Sequence, residues 1–268
     1  MSRIEDAMKK ARGERGQGPE QLAGEPAADG ATAVAAPVRV AESVATGHVD
    51  DRIVSFHRPQ SGLTENFKQI RTMIQNMLPE GHNRLLLFTS STVDEGKTTA
   101  CINFAAAVAQ DSKRRTLIVD ADMRNPKVHS LLGMKNRAGL GDLLTSDAPA
   151  ESVVVSTPIA GLSAVLCGEV PANPGELFGA ERMRQLFAEL KEGYDCVIID
   201  SPPVLPVVDT INMSPLADGV VLIVEAARTA RKKIRRAVHL LNNANASIMG
   251  FLLNKDVSLS SEYHQSEL

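Results

Sequence analysis

The stretch that most constrains this chain is residues 85–99, LLLFTSSTVDEGKTT. An apolar run, Leu85, Leu86, Leu87 and Phe88, has strand length and ends in small polar residues. Gly96-Lys97-Thr98-Thr99 follows, then an Ala-rich segment over 100–110 with helix-forming composition. Strand, loop, GK[ST] and helix is the context that a phosphate-cradling P-loop requires. The backbone N–H groups of the loop and the positive end of the helix would face the phosphates. Lys97 would reach the β- and γ-phosphates, and the Thr98 hydroxyl would coordinate Mg²⁺. Ser91 stands where the general motif has its first Gly. The competing reading is a strand-to-helix turn that merely contains GKTT, and two further strands ending in carboxylates argue against it.

The first of these is residues 116–124, TLIVDADMR. A buried strand delivers Asp120 at its C-terminal end, and Asp122 and Arg124 follow in the loop. Ligands of open α/β sheets bind at the carboxyl ends of the strands, so these side chains would face the same site as Lys97. The second is residues 196–203, CVIIDSPP, which places Asp200 where a P-loop NTPase holds its Walker B carboxylate, on Mg²⁺ directly or through water. Pro202 and Pro203 stop that strand. Between and beyond lie a short helix at 139–144, short strands at 153–155 and 162–166, and a Pro-broken loop at 168–177. A helix at 177–192, a strand at 219–224, a helix at 229–245 and a strand at 247–254 complete the reading. This alternation predicts an α/β fold, a mostly parallel sheet with helices on both faces and right-handed crossovers.

At 268 residues the chain can bury one α/β domain of ordinary size plus extra segments. No run approaches the roughly 18 apolar residues of a membrane span. Residues 1–12 are charged throughout, so no signal peptide is expected. The three cysteines, Cys101, Cys167 and Cys196, sit far apart in apolar runs and read as buried reduced thiols of a cytoplasmic protein. Residues 2–12 carry Ile4, Met8 and Ala11 on one helical face, which suits a solvated helix or a docking peptide equally. Residues 13–51 are rich in Ala, Gly, Pro and Glu and read as a disordered linker. The expected division is 1–52, a short helix plus disordered linker; 53–256, a P-loop domain; and 257–268, a flexible tail.

Charge is patterned locally. A helix at 63–78 shows Glu65, Lys68 and Arg71 at spacing three on one face, either an ion-paired surface or a subunit contact. The helix from Thr229 opens with Arg228, Arg231, Lys232, Lys233, Arg235 and Arg236 and no acid among them, which suits an acidic or phosphate-bearing partner or a solvated face. Asn254-Lys255-Asp256 is similar to the guanine-reading NKxD element, but Val257 leaves that element incomplete. Of the two tyrosines, Tyr194 precedes a buried strand and reads as structural, whereas Tyr263 sits in the polar tail.

Together these residues resemble the bacterial tyrosine kinase family, autokinases of capsule and exopolysaccharide export within the broader deviant Walker P-loop ATPases. The resemblance runs from about Glu65 to Asn254 and rests on TSSTVDEGKTT, LIVDADMRNP, VIIDSPP, EVPANPGEL and the basic helix. Glu65, Lys68 and Arg71 resemble the family's ExxRxxR ring-assembly element, with Lys for the first Arg. SRIEDAMKKA resembles the stand-alone autokinases linked to exosortase-associated polysaccharide loci. Val93-Asp94 replaces the family's Pro-Gly, a turn that Asp tolerates through its access to the left-handed conformation. Thr92 stands where the partitioning-type ATPases would have a lysine.

The resemblance implies ATP-dependent tyrosine autophosphorylation that controls polysaccharide synthesis, polymerisation or export. Lys97, Asp120, Asp122 and Asp200 would be catalytic, one of Asp120 and Asp122 helping to deprotonate the attacking tyrosine. Asp94, Glu95, Gly96, Lys97, Thr98, Thr99, Arg124 and Asn254 would bind ATP, and Thr98, Asp120 and Asp200 would hold Mg²⁺. Tyr263 would accept phosphate, and Glu65, Lys68 and Arg71 would join subunits into a ring. The expected partner is a separate membrane-anchored activator that recruits this cytoplasmic chain to the inner face of the membrane, with no nucleic acid involved. The rival is an ATP-switched assembly protein of the same class that phosphorylates no tyrosine, favoured by a tail with one tyrosine. A DNA-partitioning ATPase rests on the basic helix alone.

Overall fold

The structure, a computed structural model, describes residues 47–78, 83–110, 114–178 and 181–256. The helix expected at 2–12, the linker up to residue 46 and the tail with Tyr263 lie outside the described residues. The short helix α1, Val54–His57, leads into α2, Gly62–Met77, whose N-cap Ser61 accepts a hydrogen bond from the Thr64 N–H. Strand β1, Arg84–Ser90, feeds the P-loop and helix α3, Lys97–Ala109. Strand β2, Thr116–Asp120, is followed by the short helices α4, Val128–Leu131, and α5, Leu140–Leu144. The small strands β3, Val155–Ser156, and β4, Leu162–Val165, precede helices α6, Pro174–Phe178, and α7, Glu181–Gly193. Strand β5, Cys196–Asp200, helix α8, Asp209–Met213, strand β6, Gly219–Glu225, helix α9, Arg231–Asn243, and strand β7, Ile248–Asn254, complete the described chain.

Among the described residues, seven strands form one sheet in the order β3-β4-β2-β5-β1-β6-β7. Every pairing is parallel except that of β3 with β4 at one edge. Side chains of a strand alternate between the two faces, and the core divides accordingly. Leu85, Leu87, Leu117, Val119, Val197 and Ile199 pack with Met183, Leu186 and Leu190 of α7 and Ala237 and Leu241 of α9. Leu86, Phe88, Ile118 and Ile198 pack on the other side with the Ala-rich α3 and with Ile74 of α2. Strands buried on both faces read as continuous apolar runs, which is why 85–88, 117–119 and 197–199 were legible. Small side chains on α3 let that helix lie almost wholly buried against the sheet centre.

The structure corrects three expectations. Residues 150–153 form a turn of 3₁₀ helix, and the strand expected at 153–155 is a two-residue edge piece, Val155–Ser156. The helix expected over 177–192 is instead two, α6 starting at the proline that can occupy a first turn and α7 beyond it. Residues 47–51, assigned to the linker by average composition, are fastened to the domain. Gly47 and Asp50 donate backbone hydrogen bonds to the carbonyls of Gly133 and Leu131, and Val49 and Ile53 are buried. Two well-spaced apolar anchors suffice to hold a short strap, and a composition average over a long window hides them.

Candidate active site

Register brings the acids together. Asp120 of β2 lies opposite Asp200 of β5, both on the sheet face that carries Ile118 and Ile198 towards α3. Lys97 opens α3, and its Nζ lies 2.8 Å from Asp200 Oδ1 and 3.1 Å from Asp122 Oδ2. It also lies 3.3 Å from Thr98 Oγ1. Lys97, Asp122 and Asp200 are all buried. Burial is the largest influence on Lys97 and disfavours its charge, yet Asp200 and Asp122 outweigh it and raise the pKa. Asp120 sits deeper, where Oδ2 accepts from the Val128 N–H at 3.0 Å. Burial, reinforced by Asp200, pushes its pKa up to about 8. Burial also raises Asp200, against the pull of Lys97.

The loop ahead of α3 is held from several directions. Asp94 has φ 63° and Gly96 φ 82°, so both occupy the left-handed region, Asp94 adopting the conformation expected of it in place of glycine. The Glu95 side chain is buried and does not line the cavity. It accepts from the Thr92 N–H at 3.1 Å and from the Thr229 hydroxyl at 2.5 Å, bracing the loop from inside. Asn254 Nδ2 donates to the Glu95 carbonyl at 2.9 Å, and Lys255 Nζ donates to the Asp94 carbonyl at 2.7 Å. The incomplete NKxD-like segment thus clasps the loop backbone. A Cβ on Gly96 would come within 2.2 Å of Asn254 Nδ2, so this clasp needs glycine there.

A cavity of about 680 Å³ opens over the loop, lined by Asp94, Gly96, Lys97, Thr98, Thr99, Asp122, Arg124, Asn254 and Lys255 among others. Arg124 is gripped by Asp209 of α8, Nε to Oδ2 at 2.8 Å and Nη2 to Oδ1 at 3.1 Å. Asp209 is fully buried while Arg124 is 47% exposed, a fork held by one inner carboxylate. Gly175, from the EVPANPGEL segment, lies where a Cβ would come within 3.0 Å of Asp209 Oδ1. Sequence reasoning missed Asp209, Thr229, Lys255 and the cavity-lining Arg52. Only Lys255 had a signal, its adjacency to Asn254.

The remaining expected residues lie elsewhere. Glu65 and Lys68 pair at 2.7 Å on the surface of α2. Arg71 points inward, Nη1 donating to the Ala107 carbonyl at the end of α3 at 2.9 Å. Tyr194 is 5% exposed within the core. The three cysteines are buried and free. Among the described residues no helix is long and apolar enough to cross a membrane.

Whether these residues suit a magnesium–nucleotide can be judged from two orphaned atoms. Asp120 Oδ1 and Asp200 Oδ2 are buried without a hydrogen-bond partner. A buried carboxylate oxygen left unpaired is costly, and hard oxygen donors beside the Thr98 hydroxyl suit a magnesium ion. Lys97 and the N-terminal N–H groups of α3 supply the complementary charge for phosphate. The residues fit the group.

The family described as an AAA domain matches residues 94–257. The chain is 32% identical over 212 residues to tyrosine-protein kinase YwqD of Bacillus subtilis, an alignment covering 79% of this chain and 89% of that one. It is 30% identical over 203 residues to tyrosine-protein kinase wzc of Salmonella typhimurium, covering 76% of this chain and 28% of that longer protein. Among solved structures, the kinase domain of Escherichia coli tyrosine kinase ETK superposes with a TM-score of 0.72 at 30% identity, covering 75% of this chain and 79% of that one.

Proposed function

The chain belongs to the bacterial tyrosine-protein kinase family, P-loop enzymes that phosphorylate tyrosine, and from that premise we propose how its residues divide the work. The observation that carries the proposal is Lys97, buried at the start of α3 between Asp122 and Asp200. The substrate is ATP, bound over the loop by the backbone of Asp94, Glu95 and Gly96 and by Lys97, Thr98 and Thr99, with Arg124 and Asn254 at the cavity wall. Lys97 turns from its carboxylates to the phosphates and neutralises charge on the transferring group. Thr98, Asp120 and Asp200 hold magnesium, which when bound offsets the phosphate charge. Asp122, which unlike Asp120 lines the cavity, accepts the phenol proton of the incoming tyrosine. A base is needed because a phenol with a pKa of about 10 is scarcely ionised at neutral pH. Asp209 keeps Arg124 pointed at the cavity.

The acceptor in this proposal is Tyr263. Asn254 ends β7 on the cavity side, and the stretch from there to Tyr263 spans roughly 30 Å when extended. Tyr194, packed in the core, has no such reach. The domain of 53–256 together with the strap assembles through Glu65 and Lys68 into a ring, which raises the local concentration of a neighbour's tail. A separate membrane-anchored activator brings the chain to the inner face of the membrane, where phosphorylation tunes capsule or exopolysaccharide synthesis or export. Incubation with γ-labelled Mg·ATP and the activator, followed by phosphosite mapping, tests this directly. Label on Tyr263 that disappears in Tyr263→Phe, with ATP binding intact, is the expected result. Nucleotide-dependent assembly without any phosphotyrosine would favour the switch instead.

A further inference from the structure

The strap of residues 47–57 displays a cluster that the phosphoryl-transfer site does not use. His48 Nε2 lies 3.0 Å from Asp51 Oδ1, and the His48 and His57 ring centroids are 5.0 Å apart. One donor atom from each of His48, Asp51 and His57 lies within 4.8 Å of the other two. His57 Nε2 is 2.9 Å from the Val49 carbonyl. That carbonyl can only accept, so it fixes the proton on Nε2 and leaves the other ring nitrogen with a free lone pair. A metal-ligating histidine is ordinarily oriented by such a hydrogen bond from its second nitrogen.

We propose that His48, Asp51 and His57 form a divalent transition-metal site of the zinc class, separate from the magnesium–nucleotide site. Two imidazoles and one carboxylate suit Zn²⁺, with water in the fourth position, and do not suit Mg²⁺, which keeps to oxygen donors. Zinc–ligand bonds of roughly 2.0–2.1 Å put tetrahedral ligands about 3.4 Å apart. His48 Nε2 and Asp51 Oδ1 already lie 3.0 Å apart, on side chains that are 73% and 92% exposed and so have room to turn toward His57.

The backbone beneath is fixed independently of the metal. Val49 and Ile53 are buried on either side of Asp51. Asp50 is bonded to Leu131 at the end of α4, and Gly47 to Gly133 just beyond it. Asn103 of α3 accepts from the Ser55 N–H and donates to the Arg52 carbonyl, both at 2.9 Å. The three donors therefore project from a scaffold that needs no folding step to present them, which lowers the entropic cost of binding. An occupied site adds a further fastening to the strap whose Arg52 lines the nucleotide cavity.

The test uses the full chain without a histidine tag, stripped with a chelator and titrated calorimetrically with Zn²⁺ in excess Mg²⁺. One Zn²⁺ per chain is expected, and Zn²⁺ raises the thermal midpoint. Co²⁺ in its place gives the visible absorption of a four-coordinate ion. The double variant His48→Ala/Asp51→Asn alters only exposed side chains. It should bind Zn²⁺ more weakly by at least the roughly 10–100-fold lost when a mere outer partner is removed, and lose the Co²⁺ band and the thermal shift. His57→Gln should do the same. Absence of Zn²⁺ binding in the wild type overturns the proposal, and so does Zn²⁺ affinity or a Co²⁺ spectrum unchanged in these variants.

Discussion

Two clusters of charge in this molecule are built on opposite terms. Lys97, Asp122 and Asp200 are buried at the carboxyl ends of β2 and β5, and each ion has a partner of opposite sign within about 3 Å. Arg231, Lys232, Lys233, Arg235 and Arg236 stand exposed along α9. That helix has Ala230 as its N-cap, no side-chain cap and no acid in its first turn. Cations there oppose the helix dipole, while water and salt screen their mutual repulsion. Removed from water, the first cluster has stronger electrostatics, and every change to it is felt. The second sacrifices a little local stability for a basic surface. Burial, more than the number of charges, separates chemistry from surface decoration.

The sharpest break of this contrast is Asp200→Asn. It takes one carboxylate from Lys97 and one candidate magnesium oxygen, and phosphotransfer should fall about 10²–10³-fold in a labelled-ATP assay. Gly96→Ala tests the loop rather than the charges. It forces a Cβ into the left-handed region at φ 82° and against Asn254. The expected loss is about 1–2 kcal/mol in denaturant unfolding, with weaker ATP binding because the clasp on the Glu95 carbonyl opens.

A smaller effect lies in pH. Asp120, raised from 3.8 to about 8, stays protonated in the folded chain where the unfolded chain has released its proton. The folded state then binds more protons, so stability should fall as pH rises through that window. Asp200, raised for the same cause of burial, acts in the same direction. Unfolding midpoints taken from pH 5 to 9, in the absence of magnesium and nucleotide, should decline in the wild type and decline less steeply in Asp120→Asn, where Asp200 still acts. The smallest expected change is Lys232→Glu. Reversing one charge in the first turn of α9 should raise stability by about 0.3–1 kcal/mol, whereas the buried cluster would tolerate no reversal.

What could be read from the sequence follows the same division. Lys97, Asp120 and Asp200 were legible because short motifs and strand topology suffice to bring them together: β2 and β5 pair in register. The braces were not. Arg124 meets Asp209 across 85 residues, Glu95 meets Thr229 across 134 and Asn254 meets Glu95 across 159. Such contacts depend on where helices and loops come to rest, and no local pattern encodes that. Glu95 shows the cost: the resemblance implies a nucleotide-binding residue there, yet its side chain turns inward to hold the loop. Arg71 likewise shared a helix face with Glu65 and Lys68 in the sequence but reaches to the carbonyl of Ala107. Helical spacing sets a direction and leaves the partner open.

The most direct test of the central claim compares wild type with Lys97→Met for phosphotyrosine formed from γ-labelled Mg·ATP in the presence of the activator, with circular dichroism recorded on both. If the buried Lys97 neutralises the transferring phosphoryl group, wild type labels tyrosine and the variant, folded and of unchanged spectrum, retains no more than about a hundredth of that rate. Equal phosphotyrosine in a folded Lys97→Met protein would contradict the account.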